Sequence, residues 1–195
     1  MKTYRSLPEG YKEMFQINLQ TDKKTALAVN LLSAVVNIGM LAVGVFIVPF
    51  TELFQTQSLT LYLLQLGVLI VGYIAYITLH ELTHGAVMKA VGASSVIFGF
   101  TGLYAFAGSK EDYFRKIPFR VISLAPLVVW GIVFAVLCFI VPVSWFWVVW
   151  FLEAANCAGA AGDVYVTAKL WKMPDSILIR DTGVDMTIYN REQTV

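Results

Sequence analysis

Long uncharged apolar stretches, separated by short polar ones, dominate the pattern of this 195-residue chain. Ala26 to Phe50 carries no charge, and at about 1.5 Å per residue it is long enough to cross roughly 30 Å of hydrocarbon as a helix. Ser58 to Leu79 is a second such stretch, running directly into His80 and Glu81 and on to about Met88. Val121 to Val143 is a third, with Pro126 near its start, where neighbouring helices in a membrane can take up the backbone group a proline frees. The fourth, about Ser144 to Leu170, holds Glu153, Asn156 and Asp163. The pattern predicts an all-α, single-domain membrane protein over 1–195, with transmembrane helices at about 26–50, 58–88, 121–143 and 144–170 and polar tails at 1–25 and 171–195. The first stretch is not read as a signal peptide, because its apolar run is long and the residues before it are mixed in charge.

Ala93 to Ser109 is apolar but cut by Gly99, Gly102 and Gly108, with β-branched and aromatic side chains on either side of Thr101-Gly102. It predicts a short membrane-associated hairpin or re-entrant loop between helices two and three, with strands near Ser95–Phe100 and Leu103–Ala107.

Composition agrees with a membrane solvent. The chain is 58% hydrophobic and 14% charged, against about 25% charged in an ordinary globular protein. This excludes a soluble enzyme and a disordered tail, and a net charge of +1 with no basic run excludes a nucleic-acid partner. Every Lys and Arg falls in one of three regions: Lys2 to Lys24, Lys89 to Arg120, or Lys169 to Arg191. With four spans these regions share one face. The positive-inside rule makes that face cytoplasmic, giving a multi-pass protein of the cell membrane with both termini inside. Trp145, Trp147 and Trp150 then suit an aromatic belt at the opposite interface.

His80-Glu81-Leu82-Thr83-His84 carries the chemistry. Residues i and i+4 of a helix face one way, so both imidazoles can share a zinc ion. Glu81, about 100° round the axis, can reach a water activated by that metal and accept its proton. These are the only two histidines in the chain. Ionisable groups at the end of an apolar helix are costly and tend to be functional. A catalytic zinc usually takes a third protein ligand, and the candidates within the spans are Asp163, Glu153, Cys157 and Cys138. Measured from Lys89, His84 lies about 7.5 Å deep and His80 about 13.5 Å deep; measured from Lys169, Asp163 lies about 9 Å deep and Glu153 about 24 Å. Depth therefore selects Asp163. Cys138 and Cys157 read as small buried residues.

Asn156 shares a helical face with Asp163 and is either a contact for a substrate carbonyl or oxyanion, or an interhelical hydrogen bond. Asn30 and Asn37 likewise share a face of the first span and read as packing groups. The small residues Ala158 to Gly162 permit close helix approach.

His80 to Gly85 (HELTHG), with Pro8-Glu9-Gly10-Tyr11, Gly162-Asp163, and Pro174, Asp181, Gly183 and Tyr189, resembles the zincin membrane peptidase family, distant relatives of the site-two proteases. The resemblance covers most of the chain. It implies His80, His84 and Asp163 as zinc ligands, Glu81 as general base, and a bacterial or archaeal membrane. The site-two protease pattern has Asn, Pro and then Asp-Gly on the helix of the third ligand. Here Gly159 stands at the proline position, Gly162 precedes Asp163, Val164 follows it, and the Asn-to-Asp spacing is one residue shorter.

The expected function is an intramembrane zinc metalloprotease, cutting membrane-protein or peptide substrates near the cytoplasmic side of the bilayer. The segment Ser95–Ala107 would offer a strand edge to an unwound substrate. The rival is a non-proteolytic metal-binding membrane protein, with the metal structural or sensory. A transporter fits poorly, since spans one and three offer no charged residue to line a path.

Overall fold

A computed structural model of the chain describes residues 3–54, 58–102 and 104–192. The element order is β1 (Tyr11–Asn18), α1 (Lys23–Ile47), a 3₁₀ turn (Phe50–Leu53), α2 (Leu59–Ala90), β2 (Ile97–Phe100), β3 (Ala105–Gly108), β4 (Phe114–Arg115), α3 (Lys116–Ile140), α4 (Val143–Gly159), α5 (Ala161–Trp171), β5 (Leu178–Asp181) and β6 (Asp185–Arg191). The protein is mostly helical, and α1, α2 and α3 are each long and apolar enough to cross a membrane. Their apolar side chains point largely outward, with Phe46 and Phe139 each 91% exposed. A bilayer is the solvent that such surfaces require.

Two expectations are corrected. The fold is not all-α: β1, β6, β5 and β4 form a four-stranded antiparallel sheet in that order. The described parts of the two polar tails supply three of its strands. Tyr11 pairs with Arg191 and Asn18 with Asp185, across almost the whole chain. Short strands with partners so remote carry little local signal, because their stability comes from cross-strand packing rather than from propensity. Nor is 144–170 one helix. It is α4 and α5, interrupted at Ala160 between Gly159 and Gly162, residues of low helix propensity. At 17 residues, α4 lies at the lower end of the roughly 17–25 that can span hydrocarbon. The third helix also starts earlier than expected, at Lys116.

The hairpin between α2 and α3 is present, β2 pairing with β3 from Ile97–Gly108 to Phe100–Ala105. Leu103 of the expected second strand lies outside the described residues. The buried Asp112 ties both ends of the hairpin together. Its Oδ2 accepts from Ser94 N–H (2.8 Å), Ser94 Oγ (3.1 Å), Ser95 N–H (3.3 Å) and Ser109 Oγ (2.6 Å).

The chain divides into two compact units. The first (1–29, 81–125 and 162–195) contains the sheet, the hairpin and one apolar core that includes Met88, Phe114, Phe119, Ile122, Val166, Leu170, Ile179 and Ile188. The second (30–80 and 126–161) has two smaller clusters, one around Tyr76, Phe134 and Val149 and one around Phe146, Trp147 and Trp150. Trp147 and Trp150 are buried there rather than forming an exposed belt. Trp150 Nε1 donates to Met40 O at 2.9 Å. Asn30 and Asn37 are exposed on α1.

Candidate metal centre

The division between the units falls inside α2, between His80 and Glu81. The helix is uninterrupted there, so its own geometry holds His80, Glu81 and His84 together. Both histidines are buried. Asp163 sits in the first turn of α5, where a carboxylate suits the partial positive charge of a helix N-terminus. Its Oδ1 lies 3.6 Å from His84 Nε2. One nitrogen from each imidazole and one Asp163 oxygen all lie within 4.8 Å of one another. Two ligands at 2.0–2.1 Å from a tetrahedral zinc stand about 3.4 Å apart, so the 3.6 Å separation already approaches a metal-bound spacing. Glu153, Cys157 and Cys138 are not part of this group.

Each imidazole is oriented through its other nitrogen, as metal-binding histidines usually are. His84 Nδ1 lies 2.9 Å from Ile122 O; a carbonyl can only accept, so Nδ1 carries the proton and Nε2 is left facing Asp163. His80 Nδ1 lies 2.9 Å from the Tyr76 hydroxyl, which in turn donates to Asn156 Oδ1 at 3.2 Å. Asn156 Nδ2 donates to Leu127 O at 3.1 Å, which settles which end of the amide faces Tyr76. The tyrosine has one proton and gives it to Asn156, so it accepts from His80 Nδ1–H. Asn156 is thus buried with its amide committed to hydrogen bonds within the helices, behind His80. Sequence reasoning missed Tyr76, although its position four residues before His80 puts it on the same helical face.

The hairpin and the sheet complete the surroundings. Glu81, partly buried, accepts a hydrogen bond from the Ala107 backbone N–H of β3. Gly85 allows the close approach of β2, since a Cβ there would stand 2.4 Å from the Phe98 ring. Gly183, in the turn between β5 and β6, has φ +84°, and a Cβ there would fall 2.1 Å from Phe106. At the far end of α5, Lys116 Nζ donates to the carbonyls of Trp171 (3.2 Å) and Met173 (2.6 Å), which caps the helix that carries Asp163. Arg120 stacks 3.9 Å over the Trp171 ring. Burial pushes the Asp181 carboxyl on β5 up to about 6, despite a hydrogen bond from Gly183 N–H; His84 and Asp163 are close enough to add opposing electrostatic effects. Asp181 is therefore a second acid beside the centre, and no spacing rule pointed to it.

A family model described as "Putative zincin peptidase" matches residues 73–178, more than half of the chain, and spans both histidines and Asp163. The chain belongs to that family. No curated protein and no solved structure matches it. Zincin membership points to a metallopeptidase and implies zinc, and the donor set found here, two imidazoles and a carboxylate, is one that zinc takes in catalytic sites.

Proposed function

We propose that this zincin relative is an intramembrane zinc metalloprotease of site-two protease type, hydrolysing peptide bonds of membrane proteins or peptides near the cytoplasmic side of the bilayer, with both termini cytoplasmic. The observation that carries this reading is the convergence of His80, His84 and Asp163 within 4.8 Å, with Glu81 on the same helix. The basic residues grouped in three regions support the orientation.

His80 Nε2, His84 Nε2 and Asp163 Oδ1 would hold the metal. Zinc bound there supplies Lewis acidity, acidifying a water and polarising the scissile carbonyl. Glu81 takes the proton of the attacking water on its carboxylate and returns it to the departing amide nitrogen. The Ala107 N–H orients that carboxylate. The β2–β3 hairpin offers a strand edge on which an unwound substrate segment can pair. Local unwinding is required because a transmembrane helix keeps its peptide groups in internal hydrogen bonds.

The test is Glu81→Gln in purified protein, with zinc content and cleavage of a membrane-embedded peptide measured together. The variant retains zinc and loses cleavage. Cleavage at the wild-type rate would refute the general base. Stoichiometric zinc with no cleavage by the wild type would favour a non-proteolytic metal protein.

A further inference from the structure

Pro126 lies inside α3 and is buried. In an α-helix the N–H of residue i donates to the carbonyl of residue i−4. Proline has no N–H, so the bond missing from α3 is the one that the Ile122 carbonyl would accept. Ile122 is 1% exposed and part of an apolar core, where a carbonyl without a partner is costly. The donor that reaches it is His84 Nδ1, at 2.9 Å. The carbonyl vacated by the proline and the carbonyl that orients the metal-facing imidazole are the same atom.

We propose that Pro126 is a positioning residue for His84: by withholding its N–H it reserves the Ile122 carbonyl for the imidazole Nδ1–H, and so sets the direction of the ring. A backbone N–H at position 126 would compete for that acceptor along the helix axis. The ring would then lose the fixed partner that holds Nδ1–H and keeps Nε2 directed at Asp163. A divalent metal needs the Nε2 lone pair free. His80 is oriented differently, through the Tyr76 side chain, so the effect of Pro126 is specific to one of the two imidazoles. The proposal rests on the zinc reading for its functional meaning, but the hydrogen bond itself exists without metal.

The experiment uses the full chain in lipid nanodiscs with ¹⁵N-labelled histidine. The protein has two histidines, and His80→Gln assigns the remaining signal to His84. In metal-free wild type, His84 Nδ1 is expected to carry a proton hydrogen-bonded to Ile122 O, whichever charge the ring bears beside Asp163. In Pro126→Ala that hydrogen bond weakens while the His80 signals stay in place, and zinc affinity, measured by chelator competition, falls about 10- to 100-fold. A proline that merely shapes the helix would change thermal stability and leave the His84 Nδ1 hydrogen bond untouched. A wild-type His84 whose Nδ1 carries no hydrogen-bonded proton overturns the proposal, as does Pro126→Ala with that hydrogen bond and the zinc affinity both unchanged. Should Pro126→Ala not fold, Pro126→Ser, which restores the same N–H, carries the comparison: a weakened His84 Nδ1 hydrogen bond upholds the proposal and an unchanged one overturns it. Absence of zinc binding by wild type would defeat the zinc reading, and the hydrogen-bond comparison would still decide the role of Pro126.

Discussion

Replacing Tyr76 by Phe removes one oxygen from a buried chain of hydrogen bonds and changes almost nothing else. Tyr76 is 4% exposed, and its hydroxyl lies 2.9 Å from His80 Nδ1 and 3.2 Å from Asn156 Oδ1. The phenylalanine ring preserves the packing against Phe134 (5.7 Å between centroids), so the loss is polar: one N–H and one amide oxygen are left without this partner. Each buried group so orphaned costs about 1–3 kcal/mol in soluble proteins, which puts a ceiling of about 6 kcal/mol on the pair. In membranes the measured contribution of such bonds averages about 0.6 kcal/mol and reaches about 1.7, because the unfolded helix finds other partners. The expected loss is therefore about 1–3 kcal/mol of unfolding free energy, measured by denaturation in mixed micelles. Zinc affinity should fall about 10-fold as His80 loses its orienting contact. A double-mutant cycle with Asn156→Leu should give a coupling near 1 kcal/mol. Stability within about 0.5 kcal/mol of wild type, the ordinary range for an uninvolved substitution, together with unchanged zinc affinity, would refute the relay.

Three further outcomes are expected. His80→Ala and Asp163→Ala each lose stoichiometric zinc by elemental analysis, whereas Cys157→Ala keeps it; full zinc in either of the first two contradicts the ligand set. Gly183→Ala combines a left-handed backbone, costing about 1–2 kcal/mol, with overlap against Phe106, costing about 1–3 kcal/mol; thermal denaturation should show a loss of about 2–5 kcal/mol. For Asp112, burial raises the carboxyl, but hydrogen bonds from Ser109, Ser94 and Ser95 outweigh it and hold the group below its ordinary value. A lowered folded value means that its stabilisation is complete above the unfolded value of about 3.9 and is lost as pH falls through the folded one. Wild type should thus lose more stability than Asp112→Asn between about pH 5 and pH 3 in a pH series of melts, and equal slopes would refute the assignment.

The local signals were legible in the amino-acid order. Unbroken apolar runs declare membrane-length helices because hydrocarbon rewards length and absence of charge, and three of the four expected spans appear within a few residues of their predicted places. His80, Glu81 and His84 were equally readable, since the period of one helix brings i and i+4 together without help from any other part of the chain. Asp163 was reachable by comparing depths in two helices, which is tertiary reasoning with only one coordinate. What the order of residues did not reveal are the pairings whose partners lie far apart: Tyr11 with Arg191, His84 with the Ile122 carbonyl, Tyr76 with Asn156. Strands as short as β4 and β5 leave no period long enough to recognise, and a backbone carbonyl has no letter of its own. Two of the three candidate metal ligands and the candidate base are written in five consecutive residues, but the directions of the two imidazoles are fixed only once α3 places the Ile122 carbonyl against His84 and α4 places Asn156 against the Tyr76 hydroxyl that meets His80.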